Sequence, residues 1–392
     1  MKTDTRKSHG IRVVFENERD RLLAAAAAAV ELSDTQHERA VQSYGAVGKW
    51  LIEDDGPLAG LHEVIFPQGS MALSTTVRPA CGTEFDIDLV AVYAWDAREV
   101  GSAELVRLVR DRIAAHGTYG EILEEKPNCL RLNYLESGFH LDIVPACGNP
   151  MAPGHLIKHP TASMLTPPTG SWRETDPRGF ISWFDECKAV NPLLEHRGIA
   201  SIEPVPTRND LRVKLPLQII VQLLKQARNV EFGDAPAPSS ILLTTIAGEH
   251  YDGQLSLSEG LRVVVEGMRE KIERAAPGRL SVFNPSHPHD DLAATMDDKT
   301  YSKFVGFVRA MCGWIDDFGG KTGVPARHEN LKNRFGSKAA TDAVNEVLGP
   351  YKPDERRKPM RTTGIGSLVL TETKPKRPVG VPNRPHTFHR VN

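Results

Sequence analysis

The sequence predicts an α+β amino-terminal half joined to an all-helical carboxy-terminal half, with a basic tail behind them. Three observations carry this. Up to about Lys188, short alternating apolar runs interleave with stretches of helical period, the pattern of a mixed sheet with helices. From Arg212 long helical patterns take over. After Gly349 the chain turns Pro-, Lys- and Arg-rich, with one short strand expected at Ser367 to Leu370. A chain of 392 residues exceeds what a single core usually serves, so two domains are expected. We divide it into a core over 11–205 that includes the amino-terminal helices, a helical domain over 206–350, and a tail over 351–392.

In order, residues 1–10 are expected to form a loose leader. Residues 12–31 predict a helix, because Ala24 to Ala29 have the highest helix propensity. Ser33 or Asp34 caps a second helix that runs to about Ile52 and is ended by Asp55-Gly56-Pro57. Glu63 to Phe66 predicts a strand leading into Pro67-Gln68-Gly69-Ser70, and Met71 to Leu73 opens a helix with its N-terminus at Gly69-Ser70. Residues 85–93 predict a strand and 101–115 a helix. Cys129 to Tyr134 and Phe139 to Pro145 read as a hairpin turning at Glu136-Ser137-Gly138. Residues 147–172 predict a long loop, and Pro177 to Lys188 a helix with Phe180, Trp183 and Phe184 on one side. The helical half predicts helices at Leu215 to Gln226, Ser239 to about Tyr251, Ser258 to Arg274 and Lys299 to Phe318, with a loop at Asn284 to Pro288.

Composition narrows the function classes. Apolar content of 40% and charged content of 25% are ordinary for a globular protein. The net charge of −2 is uneven: Tyr351 to Asn392 holds ten Lys or Arg against three Asp or Glu, leaving the body near −9. Nucleic acid is therefore an unfavourable partner for the body and a conceivable one for the tail. The five cysteines (Cys81, Cys129, Cys147, Cys187, Cys312) are far apart and form no CxxC pair, so neither a zinc knuckle nor a disulfide framework is expected. A reducing cytoplasm is the simplest home. The amino terminus lacks an apolar signal core, and Leu22 to Val30 is too short to span a bilayer, so no membrane role is expected.

The chemistry is concentrated between Gln68 and Val92. Asp86 and Asp88 are two residues apart in an apolar strand and so share a face. A third acid, Asp142, sits in the second apolar strand. Buried carboxylates need a counter-charge, and oxygen donors of this kind suit hard Mg²⁺ together with substrate phosphates. Gly69-Ser70, sixteen residues before Asp86, can offer backbone N–H groups and a hydroxyl to a phosphate. The expected site is a two-metal phosphoryl-transfer centre. Asp86 and Asp88 hold the ion of a nucleoside triphosphate, Asp142 completes a second site beside the attacking hydroxyl, and Gln68-Gly69-Ser70 holds phosphate.

Gly-Ser, then Asp-x-Asp, then a later strand Asp resembles the polymerase-β-like nucleotidyltransferases. Asp142-Ile143-Val144-Pro145-Ala146, Trp172, Asp176-Pro177 and Trp183-Phe184 are similar to motifs of the bacterial cGAS/DncV-like nucleotidyltransferases, the CD-NTases of the SMODS group. Leu223-Leu224-Lys225, Pro238-Ser239-Ser240, Asn284-Pro285 and Asp290-Asp291-Leu292 extend the likeness, which covers about residues 40–320. The resemblance implies a polymerase-β-like core with a mixed sheet plus a helical domain like that of oligoadenylate synthetase. It also implies Mg²⁺-dependent synthesis of a cyclic di- or trinucleotide from NTPs in anti-phage (CBASS) signalling. Two Mg²⁺ ions, with Mn²⁺ as a substitute, NTP substrates, and a CBASS regulatory or effector protein follow from it. By the motif match, Lys225 and Ser240 contact the donor triphosphate. Two other readings stand beside this one: a nucleotidyltransferase that adds NMP to an RNA, protein or small molecule, and a non-catalytic nucleotide binder.

Other residues read more plainly. His287-Pro288-His289-Asp290-Asp291 reads as a loop rather than a metal box, and His155 and His159 as exposed loop residues. Trp172 reads as a packing residue at least as well as a base-stacking one. Lys225 has the alternative of a solvated helix lysine and Ser240 that of a helix cap; Glu84 shares the face of Asp86, where it could tune the metal site, and reads more safely as a surface carboxylate. In the wider family some tails are conjugated to targets; His389-Arg390-Val391-Asn392 lacks the small terminal residue that would require.

Overall fold

The structure, a computed structural model, describes residues 17–53, 56–78, 84–188, 214–320 and 323–350, and three two-residue strands beyond them. The expected leader over 1–10, Cys81, the boundary at 205/206 and most of the tail lie outside the described residues. The described residues up to Gly349 form one compact unit. In the second unit, 361–362 pairs antiparallel with 368–369 and with 381–382.

Two helices come first, α1 (Glu18–Ala29) and α2 (Asp34–Ile52). Ser33 caps α2 as expected: its hydroxyl accepts from Gln36 N–H and the Gln36 side chain accepts from Ser33 N–H, a reciprocal capping box. The sheet then takes β1 (His62–Gln68), β2 (Phe85–Tyr93), β3 (Leu123–Glu125), β4 (Leu130–Tyr134) and β5 (Phe139–Gly148), in the order β1-β2-β5-β4-β3. Only β2 and β5 run parallel; the other pairs are antiparallel. Between them lie the single turn α3 (Gly69–Ala72), then α4 (Ser102–Ala114) and α5 (Gly117–Ile122).

Alternation fixes the register. Phe85, Ile87 and Leu89 of β2, Leu130 and Leu132 of β4, and Phe139, Leu141 and Ile143 of β5 form one buried core with α2 and α4. Burying each Leu or Ile contributes about 1.5–3 kcal/mol. A slip of one residue would drive Asp86 and Asp88 into this core and expose the apolar set, so the register is tightly specified. The opposite face is apolar only further along, where Phe66, Val90, Val92 and Ala146 pack together.

The segment 147–172, expected as a loop, is more ordered than that. It contains β6 (His155–Lys158) and α6 (Pro168–Ser171) and leads into β7 (Trp172–Thr175). β6 pairs with the end of β5 and β7 with β6. Each has four residues and a polar terminus, too short for alternation to reveal. His155 accordingly packs against the Phe66 ring, 5.5 Å between centroids, instead of lying in an exposed loop. α7 (Pro177–Lys188) follows at the expected bounds.

The helical half comprises α8 (Pro216–Phe232), α9 (Ser240–His250), α10 (Leu257–Ala275), α11 (Asp298–Gly320), α12 (Val324–Phe335) and α13 (Ser337–Leu348). The expected loop at 284–288 is instead a hairpin, β8 (Phe283–Asn284) with β9 (His287–Asp291). α1 packs here, against α13, α8 and α10, and Asp20 accepts the Ser258 N–H at 2.8 Å. Among the described residues no helix is long and apolar enough to cross a membrane.

One helix face joins this half to the sheet. Gln218, Gln222 and Lys225 of α8, at i, i+4 and i+7, donate to the carbonyls of Leu73 (2.9 Å), Thr76 (2.8 Å) and Thr75 (2.9 Å). All three side chains are buried. Three carbonyls of the connector after α3 thus find their donors in the helical half. Gln222→Ala should leave the Thr76 carbonyl without its donor and lower the unfolding free energy by about 1–3 kcal/mol, measured by urea denaturation.

Candidate active site

In β1 to β5, Gln68, Asp88, Asp142, Arg131 and Glu124 are successive cross-strand partners. They form one row on the sheet face away from the main core. Partners in register stand side by side, so Asp88 and Asp142, fifty-four positions apart in sequence, are neighbours because β2 and β5 pair in parallel. Asp86 shares the face of Asp88 and is exposed, whereas Asp142 is buried at 8%.

The turn at Gly69 lies directly on Asp88. Gly69 has φ +62°, and a methyl group there would fall 2.4 Å from Asp88 Oδ2. Glycine is required on both counts. α3 is a single turn, so it acts less through its dipole than by placing Ser70, whose Oγ accepts from Thr76 Oγ1 at 3.1 Å.

Crowding acids on one face raises their protonation. Burial, reinforced by Asp142 and Asp86, pushes the Asp88 carboxyl up to about 7. Burial and Asp142 push Asp86 upward too. One cation opposes this within the row: Arg131 Nε and Nη2 donate to the two oxygens of Asp142, each at 2.7 Å, and Nη2 also reaches Asp86 Oδ1 at 3.4 Å. Glu84, expected as a surface carboxylate, is only part-exposed and its carboxylate contacts His140 Nε2.

Two cavities meet on Asp88. The larger, about 570 Å³, is lined by Gln68, Gly69, Ser70, Asp86, Lys225 and Ser240 among others. The smaller, about 300 Å³, takes in Asp142 together with Cys129, Arg173 and Asp290. Gln68, Asp88, Thr175 and Asn284 line both. All eight residues singled out from the sequence therefore lie on this pair of cavities. Lys225 is no solvated lysine: it is 4% exposed, and burial, with Arg228 nearby, draws its pKa down to about 7. The helix cap is Ser239, whose Oγ accepts from Leu242 N–H, which frees Ser240 Oγ to accept from Arg228 Nη1 at 3.2 Å. Trp172 packs against the main core. His287 to Asp291 form β9, and among the described residues no three His, Cys, Asp or Glu side chains are spaced to hold a metal as they stand.

Two basic residues escaped the sequence reading. Arg228 lines the larger cavity one turn beyond Lys225, a spacing that could have been noticed. Arg131 could have been found by counting back from the hairpin turn: Tyr134 opposes Phe139, so Arg131 opposes Asp142.

Residues 20–188 match the Second Messenger Oligonucleotide or Dinucleotide Synthetase (SMODS) domain. Over 341 residues the chain is 32% identical to a c-di-GMP synthase of Roseivirga ehrenbergii, covering 83% of this chain and 88% of the relative. This chain is a bacterial CD-NTase, a cGAS/DncV-like nucleotidyltransferase. It is also 25% identical over 383 residues to the cyclic dinucleotide synthase CdnG of Bradyrhizobium diazoefficiens, covering 90% and 89% of the two chains. The fold of this CD-NTase matches the structure of that CdnG in complex with GTP, with TM-score 0.68 at 22% identity, across 85% of this chain and all of the other. The α+β class with a helical carboxy-terminal half agrees with that likeness.

The raised Asp88 pKa carries a sign that can be checked. The folded value lies above the ordinary 3.8, so the stability tied to the protonated form is present below about pH 4 and is lost as pH rises to about 7. Asp88→Asn removes the charge and not the shape. The nucleotide-free variant should be more stable than the wild type at pH 8 by upward of about 1 kcal/mol, with the difference closing towards pH 5. Urea midpoints at the two pH values test it.

Proposed function

We propose that this CD-NTase joins two molecules of GTP into a cyclic dinucleotide, with the donor triphosphate in the larger cavity and the acceptor nucleoside in the smaller. The observation that carries this is the division of the acids: Asp86 opens on the first cavity, Asp142 on the second, and Asp88 on both. The relatives named for c-di-GMP and cyclic dinucleotide synthesis support guanine and a ring of two.

The donor set fits hard cations, since it is made of carboxylate oxygens whose own repulsion and burial have raised Asp88 to about 7. Asp86, Asp88 and Asp142 would hold two Mg²⁺ ions, or Mn²⁺ in their place, which would acidify the attacking hydroxyl and neutralise charge on the leaving group. The side chains do the rest. Lys225, Arg228, Ser240 and the Gly69-Ser70 turn bind the triphosphate and meet the charge that develops on pyrophosphate. Asp142 orients the acceptor ribose hydroxyl. That oxygen bonds to the α-phosphorus, the bond from the α-phosphorus to the β-bridging oxygen breaks, and the hydroxyl proton passes to solvent. Pyrophosphate leaves, and the linear intermediate repeats the step on itself to close the ring. By family resemblance the product serves anti-phage (CBASS) signalling in the cytoplasm, with a regulatory or effector protein as partner.

Incubation with GTP alone and Mg²⁺, followed by mass spectrometry, should give a phosphatase-resistant cyclic GMP dimer. Asp86→Asn should reduce it to below roughly 1% of wild type. A product that forms only with an added RNA, protein or small-molecule acceptor would replace ring closure with simple NMP transfer.

A further inference from the structure

Arg131 has no part in the chemistry above, yet it is the best-placed cation in the row of acids. Its two bonds to Asp142 are both 2.7 Å and run fork to fork, the strong geometry for a guanidinium and a carboxylate. The Asp142 side chain is 11% exposed and that of Arg131 22%, so water screens the pair poorly. The position is not an accident of rotamer. The short turn Leu135–Ser137, closed by Gly138 at φ +72°, sets Arg131 directly opposite Asp142. Glu124, the other cross-strand neighbour of Arg131, is ion-paired with Lys126 at 2.6 Å. Both oxygens of Asp142 thus face a cation that does not deprotonate.

We propose that Arg131 is a positioning residue that withholds Asp142 from a shared cation until a cation-bound nucleotide fills the larger cavity. The inference rests on reading the acids as a cation site. A divalent ion on Asp142 needs one of its oxygens turned towards it. Arg131 already holds both in the plane of its fork and reaches Asp86 at 3.4 Å. In this arrangement the guanidinium supplies the counter-charge to Asp142. The substrate, arriving with its own cation and phosphates, tips Asp142 from the guanidinium to the shared site.

The test is titration of Mn²⁺ into nucleotide-free wild type, Arg131→Lys and Arg131→Gln, followed calorimetrically, and again with a non-hydrolysable GTP analogue present. Lysine keeps the charge and loses the fork. Both variants should bind Mn²⁺ at least about tenfold more tightly than wild type without nucleotide, and the gap should narrow with the analogue. If Arg131→Lys matches the wild type, charge alone governs Asp142 and the clamp is refuted; this variant decides the matter even if Arg131→Gln does not fold. Weaker Mn²⁺ binding by the variants would also overturn it, making Arg131 a support for cation binding. Absence of Mn²⁺ binding in every protein, with the analogue as well as without, would instead remove the cation reading on which the proposal stands.

Discussion

Repulsion among carboxylates held side by side is the constraint around which this protein is built. Asp86, Asp88 and Asp142 would separate if the backbone allowed it. It does not, because the other faces of the same strands are committed to a dry core of Ile87, Leu89, Leu141 and Ile143. Apolar burial on one side of the sheet thus works against charge repulsion on the other. Burial first, and the neighbouring acids after it, displace the Asp88 and Asp86 carboxyls upward. Arg131 relieves part of the repulsion, and the chemistry of a phosphoryl-transfer enzyme uses what remains.

Around this row the molecule separates two tasks. The sheet supplies the acids and the turn at Gly69-Ser70, while α8 and α9 supply Lys225, Arg228 and Ser240. Neither half lines the larger cavity by itself. The same α8 that brings Lys225 into the larger cavity also ties the backbone just after Ser70, so the basic wall and the turn are set relative to each other by three buried hydrogen bonds. Thr175 and Asn284, on segments from the two halves, line both cavities.

The strands that carry the acids were legible because each is a run of strong alternation bounded by turn residues, and β2 was read at its observed bounds. The convergence of Asp142 on Asp86 and Asp88 was expected from three acids set in apolar strands and from the family pattern, but its register was not, since alternation gives a face and not a partner strand. β6, β7 and the β8–β9 hairpin were hidden because strands of two to five residues with polar or prolyl positions are held by pairing rather than by their own hydrophobic pattern. α12 and α13 went unread for a related reason: α12 is largely polar, α13 buries mainly small side chains, and the buried set is sparse, such as Leu331, Phe335 and Ala340. Lys225 shows the limit at the level of one residue. A lysine in a helix looks solvated until tertiary packing closes over it.

The grip of α8 on the connector at Leu73 to Thr76 bears on how small this enzyme can be made. A version trimmed to end near Lys188 would keep every acid and the glycine turn. It would also strip three buried carbonyls of their donors and deprive α1 of the helices it lies against. The catalytic sheet is therefore not a detachable module, and a minimal synthase would have to retain the helical half and α1 with it.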